Sequence, residues 1–124
     1  DIYIADSDGT NERRVTFDQD SNIYNGSATF SPDGKLVAFY SDNEKSAALT
    51  VIGVDGQNRK TILAEGYNWY PRWSPDSRWL IYTAIAPGDD KKNIDVFAIP
   101  VAGDATPVLV AGGVKREVEG SWRP

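Results

Sequence analysis

The side chains able to do chemistry in this chain form a restricted set, because its 124 residues include neither histidine nor cysteine. An imidazole base, a thiol nucleophile and an imidazole or thiolate metal ligand are all excluded. Carboxylate, lysine, tyrosine and serine chemistry remain. Two acidic stretches have spacings that could hold a cation. DSDGTNE, residues 6–12, opens like a calcium loop but lacks the terminal ligand pattern of one. FDQDSN, residues 17–22, offers Asp18 and Asp20 as oxygen ligands with no third carboxylate anchored nearby. Both read as polar loops, so the expectation is no metal and no cofactor, with Asp18 and Asp20 as the alternative cation ligands. A glycosidase would need two facing carboxylates, and the sequence marks no such pair. A Gly-x-Ser-x-Gly elbow is missing too. The chain is therefore expected not to be an enzyme.

Aromatic residues supply the other candidates. Tyr24, Tyr67, Trp69 and Tyr70 stand in the stretches leading into two copies of a Ser-Pro-Asp turn, and they are the expected ligand- or partner-binding residues. Phe30, Trp73 and Trp122 directly precede Ser-Pro-Asp or its partial third copy. They are expected to form core.

The elements that must position these residues are visible as an internal repeat. SPDGKLVAF, residues 31–39, is echoed by SPDSRWLIY at 74–82, and the match extends backwards as YNGSATF over YNWYPRW. A third copy begins in REVEGSWRP, where Trp122 lies over Trp73 and Pro124 over Pro75. A second anchor, IYIADSDGTNERRVTF, aligns without a gap on LTVIGVDGQNRKTILA and VFAIPVAGDATPVLVA. Each Ser-Pro-Asp turn joins two apolar runs rich in β-branched and aromatic residues, and each Asp-Gly is a short-hairpin signal. Ala102 replaces the aspartate in the third hairpin, which should alter that turn slightly.

These patterns predict an all-β chain of four-stranded antiparallel β-propeller blades, an incomplete arc of about three blades. First strands are expected at about 26–31, 69–74 and 119–123, and second strands at about 35–41 and 78–84. Third strands are expected at about 1–6, 48–54 and 94–101, and fourth strands at about 12–17, 59–64 and 106–111. Residues 1–124 thus form a single segment: 1–17 the end of one blade, 26–64 and 69–111 two whole blades, and 119–124 the start of the next. An open arc leaves apolar blade faces uncovered. The remaining blades are expected from a parent chain or from homo-oligomerisation.

Composition limits the partners. With 40% hydrophobic residues the chain can bury a core. Its 13 basic and 18 acidic residues give a net charge of −5, which excludes nucleic acid as the expected partner. No apolar run approaches the roughly 18 residues of a membrane span. The charge clusters NERR, DDKK and VKRE are expected on solvent-facing loops and strand edges.

An aromatic residue before Ser-Pro-Asp-Gly, then an apolar strand, then a strand ending in Asp-Gly, resembles the repeat of TolB-like propellers. It is also similar to blades in the propeller domains of the prolyl oligopeptidase family. The resemblance spans essentially the whole chain, with Ser77 in place of a turn glycine as one departure. It implies a non-catalytic periplasmic or extracellular propeller that binds other proteins in the cell envelope. The alternatives are the substrate-gating propeller of a serine peptidase, or a carbohydrate-binding propeller. Recognition is expected on the rim bearing residues 18–26, 42–47, 65–70, 86–93 and 112–118, which vary between repeats while the turns opposite do not.

Overall fold

Strand formation follows the repeat closely. The computed structural model describes residues 1–85, 93–103 and 105–112, and every regular element in them is a β-strand. A short pair, β1 (Tyr3–Ile4) and β2 (Arg13–Arg14), comes first. An antiparallel meander of β3 (Tyr24–Phe30), β4 (Leu36–Asp42), β5 (Ala47–Gly53) and β6 (Lys60–Leu63) follows. A second meander comprises β7 (Tyr67–Trp73), β8 (Trp79–Ile85), β9 (Ile94–Pro100) and β10 (Val108–Ala111). One parallel pairing, Ala47 with Tyr67, links the meanders at one rim. The expected first strand at 119–123, together with Trp122 and Pro124, lies outside the described residues. So do residues 86–92 and 113–118 of the expected loops.

Two boundaries correct the sequence reading. The inner strands β3 and β7 begin two residues earlier than expected, because ladder pairing resumes beyond a bulge: Tyr24 pairs with Asp42 and Tyr67 with Ile85. Tyr24 and Tyr67, expected ahead of these strands, are therefore strand residues, as are Trp69 and Tyr70 within the expected one. At the other end, β1 and β2 are much shorter than residues 1–6 and 12–17, since among the described residues they pair only with each other. Ile2 and Val15 still extend that contact, with Val15 N–H donating to Ile2 O at 2.9 Å.

Strand alternation sends side chains to two separate cores. On one face of β4, Val37 and Phe39 pack with Ile52 against Ile2 and Val15. On the other, Ala38 joins Leu49 and Val51 against Trp73, Leu80, Tyr82, Ala84 and Ile99 of the second meander. Burying a side chain such as Leu49 or Phe39 contributes about 1.5–3 kcal/mol.

The two aromatic residues that precede Ser-Pro-Asp part company. Trp73 is 7% exposed and donates its Nε1–H to Thr29 O of β3 at 3.1 Å. Phe30, at the same repeat position, is 54% exposed. The expectation that Phe30 is core is thus corrected: Ile2 and Val15, beside β1 and β2, pack on Val37 and Phe39 of β4 and Ile52 of β5, and no described inner strand lies where β3 stands for Trp73.

The Ser-Pro-Asp turns are closed hydrogen-bond circuits built almost identically twice. Ser31 Oγ donates to Asp33 Oδ1 at 2.6 Å and accepts from Leu36 N–H at 2.9 Å. Ser74 Oγ does the same with Asp76 at 2.5 Å and Trp79 N–H at 2.9 Å. Ser77 occupies the left-handed region at φ 60°, where its counterpart Gly34 has φ 72°. The hydroxyl that replaces glycine's freedom accepts from Asp33 N–H of the neighbouring turn at 3.1 Å. In the third hairpin Gly103 keeps φ 83°, matching 82° at Gly9 and 81° at Gly56. Ala102 cannot accept the hydrogen bonds that Asp8 and Asp55 take from the amides two residues on.

Candidate functional site

Register places one end of each strand in a continuous row. Tyr24, Asp42, Ala47, Tyr67, Ile85 and Ile94 are successive cross-strand neighbours. This row is one rim of the molecule, and the Ser-Pro-Asp and Asp-Gly turns occupy the opposite one. All four aromatic residues singled out by sequence stand on β3 and β7 at or near this row, but they form two groups.

Tyr24 and Tyr70 belong to a cluster with Tyr40, a residue that sequence reading assigned only to a strand. The rings of Tyr24 and Tyr40 are 6.0 Å apart and inclined at 43°. They meet over Gly26, where an added Cβ would lie 2.7 Å from Tyr40 Cζ and 2.8 Å from Tyr24 Cε1. Only glycine permits this approach. Burial, and then the proximity of Tyr24, Tyr70 and Asp42, push the Tyr40 phenol up from its ordinary value. The signal available in sequence was Gly26, which pairs directly with Tyr40.

A repeated bulge aims Tyr70. Pairing shifts between Gly26 and Thr29 in β3 and between Trp69 and Arg72 in β7. Ser27 and Tyr70 sit in these bulges with φ 51° and 54°. A tyrosine in the left-handed region is strained by an amount on the order of 1 kcal/mol or more, and bulges of this type redirect a side chain. Tyr24 is 64% exposed and Tyr70 is also exposed. Tyr67 and Trp69 instead stack on each other at 5.5 Å and 28°, and both are half-buried.

Asp18 is taken up by protein groups. Its carboxylate accepts from Arg59 Nη1 at 2.8 Å and from Asn25 Nδ2 at 2.5 Å. Arg59 Cζ lies 5.3 Å from the centroid of Phe39. Burial alone would raise the Asp18 pKa, but the hydrogen bonds from Asn25 and Arg59 and the Arg59 charge outweigh it and hold the group below its ordinary value. Asp20 Oδ1 accepts from Asn22 N–H at 2.9 Å. Among the described residues no three His, Cys, Asp or Glu side chains gather as a metal-binding group. Asn25 is buried, and its Oδ1 finds no partner there.

No family model matches the chain. Solved structures do. A structure assigned as TolB from Agrobacterium tumefaciens superposes on 93% of the chain with a TM-score of 0.70 at 22% identity. TolB from Acinetobacter baumannii does so on 90%, with 0.72 at 24% identity. The fold is that of a β-propeller. A prolyl endopeptidase superposes on 89% of the chain, with a TM-score of 0.68 at 23% identity. The chain spans 43% and 27% of the two TolB chains and 18% of the prolyl endopeptidase. The antiparallel meanders β3–β6 and β7–β10 accordingly resemble propeller blades. No helix among the described residues is long and apolar enough to cross a membrane.

Proposed function

We propose that the chain is a non-catalytic propeller module that binds another protein in the cell envelope, through the rim carrying Tyr24, Tyr40 and Tyr70. The observation that carries this reading is Tyr70. A large aromatic residue is held exposed in a left-handed backbone conformation, against its own preference, beside two further tyrosines. Tyrosine is a preferred interface anchor because it buries much area and keeps a hydroxyl for hydrogen bonding. The likeness to TolB supports the envelope setting. The open Phe30 face supports completion by another blade, from a parent chain or a second copy. Tyr67 and Trp69 flank the cluster as a secondary part of the surface, and Asp18 acts through its ion pair with Arg59 rather than as a cation ligand.

The test is a photo-reactive residue placed at position 70 in cells, followed by affinity measurement with the purified cross-linked protein. Tyr24→Ala and Tyr70→Ala are expected to weaken that affinity about tenfold or more each, in the range of interface anchors. Unchanged affinity in both would remove the reading. One observation favours a second reading, the superposition on a prolyl endopeptidase: the same rim would then admit peptide to a peptidase domain carried elsewhere. Loss of peptide turnover on narrowing the rim, with no separate binding partner, would select it.

A further inference from the structure

The two complete blades differ chemically at one equivalent place. In the first, the Arg59 guanidinium lies over Phe39, pairs with Asp18 and reaches Ser41 Oγ at 3.4 Å. The repeat puts Tyr82 at the position of Phe39, Ala84 at that of Ser41, Glu65 at that of Asp18 and Thr106 at that of Arg59. The second blade therefore keeps the carboxylate and the aromatic ring but has no guanidinium to set between them.

Beside these residues lies a cavity of about 110 Å³, lined among others by Glu65, Asn68, Tyr82, Ala84, Phe97 and Pro107. That volume matches roughly three to four waters at their liquid density. Tyr82 is 2% exposed and stacks on Phe97 at 5.9 Å and 23°. Burial pushes its phenol well above the ordinary value, so it stays a neutral donor and acceptor. The two ion pairs among the described residues, Arg14 with Asp1 and Arg59 with Asp18, leave Glu65 out.

We propose that this cavity receives the guanidinium of an arginine side chain from the protein partner, in the place that Arg59 fills in the neighbouring blade. Glu65 takes the part of Asp18 and the Tyr82 ring that of Phe39. The Tyr82 hydroxyl replaces the acceptor lost where Ser41 becomes Ala84. A planar guanidinium suits an aromatic face and a carboxylate together better than a compact ammonium does. The net charge of −5 favours a basic partner. The cavity opens beside Gly66 and Ile85, on the same rim as the tyrosine cluster. The inference rests on the protein-binding reading and names the group recognised.

The probe is N-acetyl-arginine amide, titrated into the protein and followed by NMR. Saturable shifts of the Tyr82 and Phe97 ring protons are expected, with N-acetyl-lysine amide binding at least about fivefold more weakly. Thr106→Arg should fill the cavity from within and abolish the shifts, while leaving amide signals of the first blade unchanged. Tyr82→Phe, which keeps ring and volume, should weaken the probe about three- to tenfold. No saturable shift in the native protein, or undiminished binding in a folded Thr106→Arg variant, would overturn the inference. If the probe fails while Tyr24→Ala and Tyr70→Ala still impair the partner, the arginine site is wrong and the protein-binding rim stands. If the probe binds and those two variants leave the partner unaffected, the site stands and the rim is wrong.

Discussion

The two rims of this propeller segment are made from the same strands, yet they treat their polar groups differently. On the turn rim, Ser31 with Asp33 and Ser74 with Asp76 close every local circuit, and Ser77 ties one turn to the next. On the loop rim, Asn25 Oδ1 is buried without a partner, Tyr70 is strained, Tyr24 is exposed and a cavity stands open beside Glu65. A rim whose bonds are satisfied internally serves folding. One that leaves strain, exposed aromatics and open acceptors has interactions to offer a partner. Substitutions on the two rims should therefore separate stability from binding.

The largest stability effect is expected near the turn rim. Trp73→Ala removes a buried ring and its bond to Thr29 O, and should cost about 3–5 kcal/mol in urea unfolding. Phe30→Ala at the equivalent position should cost less than about 1 kcal/mol, because the ring is already solvated. Equal losses at the two positions would mean that the Phe30 face is covered in solution.

Next come the turn serines. Ser74→Ala leaves Trp79 N–H and Asp76 without their shared partner and should cost about 1–3 kcal/mol, with Ser31→Ala similar. Neither should change partner affinity once the fold is intact. Tyr70→Gly should do the opposite. It relieves a strained backbone, so thermal unfolding should rise or stay within about 1 kcal/mol of the native protein, while partner affinity falls.

Acid should expose the turn circuits. The Asp33 carboxyl is held below the ordinary 3.8 mainly by the Ser31 hydroxyl, and that of Asp76 by the Ser74 hydroxyl. A carboxyl whose folded pKa is depressed stabilises the fold above its unfolded pKa and loses that contribution as pH falls towards the folded one. Stability should thus be level down to about pH 5 and decline below about pH 4. The decline should be shallower in the Asp33→Asn, Asp76→Asn double variant, which has no proton to take up at these sites.

The turns were legible in sequence because their determinants are local. Ser, Pro, Asp and Gly at fixed offsets specify the same hydrogen bonds wherever they occur. Tyr40 was not legible as a site residue. Its place depends on a bulge in β3, on the missing side chain of Gly26 and on Tyr70 reaching across from the next blade, none of which is local. The exposure of Phe30 was hidden for a related reason: a repeat position records what a side chain needs to pack against, and not whether a neighbour supplies it. Ser77 was visible as a departure from glycine, but its bond to Asp33 N–H exists only once two blades stand side by side.

Amide hydrogen exchange with and without the cross-linked partner tests the division between rims most directly. Added protection is expected at residues 18–26, 42–47 and 65–70, with residues 31–35, 54–58 and 74–78 unchanged. Protection confined to the Ser-Pro-Asp and Asp-Gly turns, with the tyrosine rim unchanged, would contradict it.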